Sequence, residues 1–284
     1  MMTKAHRVAF VSGHTFGQQA LQGLLSSTAY LSGAVQVPLV FGLPEKHRRK
    51  TVGYVNVLET VGLDGTRRAE ATDPTLDDHL EMLEDELIDV LMVIGWSRLV
   101  ATSVLNAVPL CIGMHPTDLP RGRGQAPIPW TIIKGLDHSA LSVFRLQEKP
   151  DAGGIIAKYP FAVRPRETAT SLFHRVAHLH FVAGLELGEK IASRAVQGEE
   201  QSEPAATRWP RRRPDDGLIS GDLTVLEADA LVRALRPPYP PAFLWIEGVR
   251  RPVVATALGA ERGNFEVLRM RFADGELDLY LGEN

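Results

Sequence analysis

From Arg7 onward, short apolar runs alternate with segments whose apolar residues recur every three or four positions. RVAFVSG reads as a buried strand ending in a turn, and HTFGQQALQGLLSS as the helix that follows. AVQVPLVFG is a second strand, in which Pro38 marks an irregularity because proline cannot donate to a sheet ladder. In TLDDHLEMLEDELIDV, Leu76, Leu80, Leu83 and Leu87 share one helical face. The run DVLMVIGW after it is almost continuously apolar, as a parallel strand covered on both faces must be. A short helix, RLVATSVLNAV, leads to a further apolar strand, PLCIGMH. This rhythm predicts an α/β fold with a doubly wound, mostly parallel sheet.

Two more strands, SALSVFRL and GGIIAKYPFAV, flank the loop QEKPDAGG. TATSLFHRVAHLHFVAGLELGEKIASRAV is a long helix with Thr168 as N-cap and an apolar stripe of Leu172, Val176, Leu179, Ala183, Leu187 and Ile191. The polar, proline-containing QGEEQSEPAATRWPRRRPDDG then breaks the pattern. We expect a first domain over 1–200, a linker over 201–208 and a second domain over 209–284. In the latter, the helix LTVLEADALVRAL precedes strands in LWIEGVRRPVVATALGA, NFEVLRMRFADG and ELDLYLG, a content that suits a small barrel.

Composition narrows the class. With 284 residues, 44% hydrophobic, 23% charged and a net charge of −3, the chain reads as globular and lacks the basic excess of a protein that wraps nucleic acid. The single cysteine, Cys111, excludes an internal disulfide and a cysteine-based zinc site, and its apolar setting predicts a buried structural thiol. The first residues hold no secretory apolar core and no run approaches the roughly 20 apolar residues of a membrane span, so a cytoplasmic location is expected.

In a doubly wound sheet, ligands bind beyond the carboxyl ends of the strands. VIGWSR and CIGMHP both switch there from apolar to polar text, which places His115, at the head of HPTDLPRGRGQAP, on the functional edge. Its imidazole can accept a proton near neutral pH or hydrogen-bond a developing charge. Asp151, in KPDAGG, either opens a turn or orients that imidazole. RGRGQAP lacks the ending and spacing of a phosphate-binding loop. His174 and His178 stand four apart on a helix without an acidic third ligand, so no metal is expected. The basic run Lys46 to Lys50 reads as solvated, whereas Arg211 to Arg213 beside Trp209 suit an anionic ligand.

GMHPTDLPRGRGQAPIPWTIIKG, the later DAGG, and then WPRRRPDDG and LVRALRPPYPPAF together resemble the folate-dependent formyltransferases over nearly the whole chain. The resemblance extends to the linker and C-terminal domain shared by methionyl-tRNA formyltransferases and sugar N-formyltransferases, and is nearest to the latter. It implies a Rossmann-like domain followed by a small C-terminal OB-like barrel, and formyl transfer from N10-formyltetrahydrofolate to a primary amine. His115 and Asp151 would be catalytic. Ile94, Gly95, Trp96 and Arg98, with Pro116, Thr117, Leu119, Pro120 and Gly153, would line the folate pocket. A homodimer is a family-level expectation. One departure is that the family's asparagine, two residues before the histidine, is Gly113 here. Its expected role as oxyanion donor would pass to Gln125, Ser97 or the Gly113 backbone.

From Ala205 to Asn284 there are eleven arginines and no lysine against twelve acids, which favours a small amine over transfer RNA. An amino sugar carried on a nucleotide is the expected acceptor, with Arg121, Arg123, Trp209, Arg211 and Arg212 as candidates for its binding. The alternatives are the initiator transfer RNA, a siderophore amine, and a non-catalytic folate- or nucleotide-binding protein on the same scaffold.

Overall fold

Val8 and Phe10 turn to one face of the first strand and Ala9 and Val11 to the other, and all four are fully buried, so both faces of the sheet are covered. In this computed structural model, which describes residues 4–259 and 265–282, the chain opens with β1 (His6–Ser12), α1 (Thr15–Leu25), α2 (Thr28–Leu31) and β2 (Val35–Gly42). It continues through β3 (Arg67–Glu70), α3 (Leu80–Asp85), β4 (Val90–Ile94), α4 (Thr102–Ala107), β5 (Leu110–His115) and the short β6 (Arg123–Gly124). Next come α5 (Pro127–Ile133), β7 (His138–Arg145), β8 (Ile155–Ala162), α6 (Ala169–Ala192) and β9 (Arg208–Trp209). The last elements are α7 (Val225–Ala234), β10 (Ala242–Ile246), β11 (Val249–Thr256), β12 (Glu266–Phe272) and β13 (Gly275–Leu281).

Two compact units result. The first takes residues up to Gly124, Ala140–Pro160 and Arg175–Arg208, and the second takes Gln125–Ser139, Phe161–His174 and Trp209 onward. The main sheet runs β3-β2-β1-β4-β5-β7-β8. The ladders from β3 to β5 are parallel, and β7 pairs antiparallel to β5. The order reverses between β1 and β4, the kind of switch point beyond whose carboxyl ends doubly wound sheets bind ligands. Pro38 is accommodated inside β2 by a register shift, with Arg7 opposite Gln36 but Ala9 opposite Leu39. In the long helix α6 the hydroxyl of Thr168 accepts the Ser171 N–H as the expected cap, and Leu172, Val176, Ala183, Leu187 and Ile191 are buried with Leu179 packed beside them.

One helix departs from expectation. Leu76, Leu80, Leu83 and Leu87 do not share a face, because α3 has only six residues. The Asp73 carboxylate captures the N–H groups of Thr75 and Asp77, and Leu76 adopts a left-handed φ of 67°, so the helix begins late. It ends early, with Ile88 N–H reaching back to the Leu83 carbonyl and Leu87 at φ 47°. Leu76 and Leu83 are buried in the core while Leu87 is 67% exposed.

The second unit holds the antiparallel sheet β10-β11-β13-β12, a half-barrel whose inner face packs α7 through Ala228, Leu231, Val232, Val253, Leu277 and Leu279. A capping box between Thr224 and Glu227 starts α7. The expected strand text around Ala260 and Asn264 lies outside the described residues. Buried Asp229 accepts hydrogen bonds from Arg166, Arg233 and Thr256, which together hold its carboxyl below the usual range against the opposing effect of burial. Among the described residues no helix is long and apolar enough to cross a membrane.

Candidate active site

β5 delivers His115 as its last residue, at the carboxyl edge of the parallel ladders. His115 is 8% exposed, and its Nε2 lies 2.9 Å from the carbonyl oxygen of Gly122. A carbonyl only accepts, so Nε2 carries the hydrogen and Nδ1 presents its lone pair. Nδ1 faces Asp151 Oδ1 at 4.0 Å, beyond hydrogen-bond reach but within Coulombic reach. Two residues far apart in the chain therefore meet, with one nitrogen left to do proton chemistry.

Both partners are held by backbone. Gly122 N–H donates to the Thr207 hydroxyl at 2.9 Å, fixing the carbonyl that orients His115. Asp151, in a left-handed conformation at φ 58°, accepts the Gly124 N–H on Oδ2 at 2.9 Å, which aims Oδ1 at the imidazole. The loop between them begins with a tight turn in which Thr117 N–H bonds the His115 carbonyl and Ser142 Oγ bridges Thr117 O and Leu119 N–H. The Thr117 hydroxyl is buried and has no partner among the described residues. Pro116 and Leu119 are buried, and the Leu119–Pro120 peptide is cis. Leu119 and Pro120 wall a cavity of about 460 Å³ that continues along Ile155 to Lys158 and to Gln201.

At the neighbouring edge, Gly95 (φ 63°) follows β4 and passes close to His14, where a Cβ would come within 2.7 Å of the His14 Cβ. The Trp96 indole donates to the Pro74 carbonyl at 3.0 Å, and the Arg98 guanidinium lies 5.3 Å over its ring. Ser97 is exposed. Ile94 needs correcting as a pocket residue: it is fully buried in the core, so the accessible edge starts at Gly95. Gly153 is buried in its loop. The close approach it permits is to the Arg145 carbonyl, 1.9 Å from where a Cβ would stand.

Gly113 sits mid-strand, opposite Val93 on one side and Phe144 on the other. A Cβ there would meet Leu146 Cδ2 at 2.7 Å and the Phe144 ring at 3.0 Å. The space an asparagine would enter is thus filled by apolar side chains. With a strand on each flank, the Gly113 backbone faces neighbouring strands rather than a pocket, which argues against it as an oxyanion donor.

The predicted cations divide. Arg121 is exposed. Arg123 is 5% exposed, and its fork is engaged by Gln201 Oε1 and Glu203, so it is not a free anion site. In the second unit, Gln125 donates its N–H to the Trp209 carbonyl, Trp209 is buried and Arg211 is exposed. Arg212 lies 5.0 Å over the Trp130 ring and donates from Nη2 to the Asp216 carbonyl, while its Nε is buried with no partner among the described residues. His174 and His178 are exposed, and no group of three metal-ligating side chains gathers among the described residues. Burial pushes the Cys111 thiol up to about 12, as befits a structural cysteine.

Sequence reasoning missed His14. It follows β1 at the same edge, caps α1 by accepting the Phe16 N–H on Nδ1, and is held near 4 by burial. His180 lies stacked on Phe16 at 4.5 Å and is lowered to about 3, chiefly by burial and further by His14 and His115. The strand-end rule that singled out His115 would have found His14 had it been applied to β1. Gln201 carried no local signal.

Residues 6–184 match the family described as Formyl transferase. The chain is 31% identical over 250 residues to a methionyl-tRNA formyltransferase of Desulfotalea psychrophila, spanning 87% of this chain and 75% of that relative. A 4-N formyltransferase from Francisella tularensis superposes with a TM-score of 0.68 at 18% identity, covering 86% of this chain and 95% of that one. The sugar 3N-formyl transferase WlaRD, solved with dTDP and 5-N-formyl-THF, also gives 0.68, at 13% identity over 99% and 100% of the two chains.

Proposed function

This chain belongs to the formyl transferase family, and we propose that it moves a formyl group from N10-formyltetrahydrofolate to a primary amine of a small molecule, an amino sugar carried on a nucleotide. The observation that carries this reading is the His115–Asp151 pair, with Nε2 tethered to Gly122 and Nδ1, which has no hydrogen bond among the described residues, 4.0 Å from the carboxylate.

The folate carrier supplies a formyl group on a nitrogen that departs once protonated. The acceptor amine forms the new C–N bond, the bond to the folate nitrogen breaks, and one proton passes from the first nitrogen to the second. His115 Nδ1 receives that proton and returns it, and Asp151 stabilises the imidazolium in between. Negative charge grows on the formyl oxygen during attack. With Gly113 supplying no amide, the exposed Ser97 hydroxyl is the donor we assign to it. Support for a planar polar carrier at this edge comes from the orphaned Thr117 hydroxyl and the Trp96–Arg98 stack.

For the acceptor, near-neutral charge beyond Ala205 supports a small amine. With Arg123 committed, the exposed Arg121 is the cation we assign to its diphosphate. Initiator transfer RNA is the second reading, favoured by the 31% identity to a methionyl-tRNA formyltransferase.

The test incubates the protein with formyl donor and, separately, dTDP-linked amino sugars, siderophore amines and charged initiator tRNA, following tetrahydrofolate release. Turnover on an amino-sugar nucleotide, abolished by His115→Ala, is expected. Turnover on the tRNA alone would replace the acceptor assignment. Tight donor binding without turnover on any amine would leave a binding protein.

A further inference from the structure

Gln201 spends its whole hydrogen-bonding capacity at the catalytic loop. Its Oε1 accepts from Arg123 Nε at 3.2 Å and Nη2 at 2.8 Å, and its Nε2 donates to the carbonyls of Asp151 at 2.9 Å and Gly153 at 2.7 Å. An amide offers two acceptor and two donor positions, so none is left over. The neighbouring Glu203 reinforces the arrangement. It pairs with Lys149 at 2.6 Å and Arg123 at 2.8 Å, and these two cations hold its carboxyl below the usual range. Upstream, Glu199 is fixed to Ile155 by two backbone hydrogen bonds of 2.7 and 2.9 Å. Residues 199–203 thus strap the Lys149-to-Gly153 turn to the segment carrying Arg123 and Gly124.

That turn needs a strap. Asp151 is a non-glycine residue at φ 58°, and the carboxylate it carries must keep Oδ2 on Gly124 N–H to aim Oδ1 at His115. A preorganised site tolerates displacements of only about half an ångström, and the hydrogen bonds from Gln201 oppose such movement of the turn.

We propose that Gln201 is a positioning residue for Asp151, acting through the Asp151 and Gly153 carbonyls to hold the carboxylate against His115. The inference rests on the catalytic reading of Asp151 given above. Gln201 touches no reacting atom, and its effect passes entirely through the carboxylate.

Gln201→Glu separates the two halves of the clasp. It keeps an acceptor for Arg123 but replaces the donors to the two carbonyls with oxygen, which repels them. Expected results are a fall in kcat of about tenfold or more, an unchanged KM for the formyl donor, and faster amide hydrogen exchange across 150–154. Gln201→Met, which removes both halves without adding charge, should behave alike. In an Asp151→Asn background the Gln201→Glu change should cost nothing further in kcat, whereas a general structural role would lower the rate equally in both backgrounds. Unchanged exchange across 150–154, or an undiminished loss in the Asp151→Asn background, overturns the inference. Wild-type turnover by Asp151→Asn alone, with exchange in Gln201→Glu still accelerated, overturns the catalytic reading of Asp151 and the positioning role with it, leaving only the clasp.

Discussion

Restoring the family's asparagine should not improve this enzyme. In Gly113→Asn the new Cβ would lie 2.7 Å from Leu146 Cδ2 and 3.0 and 3.2 Å from the Phe144 ring, against about 3.5–4.0 Å for unstrained carbon contacts. Leu146 is partly exposed and can rotate away, but Phe144 is 3% exposed and fixed in β7, so the amide has to displace it. Overpacking of this kind costs about 1–3 kcal/mol, and for a chain of this size each kcal/mol lowers Tm by about 2–4 °C. An absent oxyanion donor would by itself be worth about 2.7–4 kcal/mol, or some hundred- to thousandfold in kcat. The two accounts separate cleanly in thermal unfolding and in steady-state tetrahydrofolate release. We expect a lowered Tm and a kcat no higher than that of the natural chain. A tenfold or greater gain in kcat at unchanged Tm would refute the argument, because it would mean that the pocket had kept room for the amide.

Further outcomes follow from groups buried elsewhere. His14 and His180, held near 4 and near 3 in the folded chain, take up protons near 6.5 once unfolded, so above pH 6.5 they add no pH dependence, and below it the unfolded state gains protons that the folded state refuses. Unfolding free energy should fall by about 1.4 kcal/mol per pH unit for each histidine between roughly pH 6.5 and 4. Equal urea midpoints at pH 7 and pH 5 would contradict this. Asp229→Ala leaves the buried Thr256 hydroxyl without its acceptor, while Arg166, 41% exposed, and Arg233, 21% exposed, can turn to water, so a loss of about 1–3 kcal/mol in denaturant unfolding is expected, and no measurable loss would show the cluster to be dispensable. Gly153→Ala drives a methyl into the Arg145 carbonyl, so a lowered Tm together with lost turnover is expected, and wild-type values for both would show that the loop yields freely.

What could be read from the chain depended on how far each signal reaches. Strands β4 and β5 were plain because burial on both faces leaves no polar positions, and His115 was found because apolar text stops at a strand end. The stripe of α6 declared itself by spacing alone. The helix expected across Leu76 to Leu87 failed because one carboxylate, Asp73, outcompeted helical hydrogen bonding, a contest that apolar periodicity does not register. Arg123 looked like a free cation beside a glycine loop, yet its partner Gln201 is 78 positions away. Gly113 stood out as a missing amide, whereas the filling of its space by Phe144 and Leu146 needs the pairing of β5 with β7 to be seen. Side chains that recognise one another across such separations leave no periodic trace.

The most direct measurement is single-turnover formyl transfer from pre-bound donor in the natural chain, His115→Gln, Asp151→Asn and the double variant. Acting as one proton-handling unit, each single change should slow transfer by about a hundredfold or more, and the double variant should be no slower than the worse of the two. Wild-type rates in either single variant, or losses that multiply in the double, would contradict the claim that the imidazole and the carboxylate work as a pair.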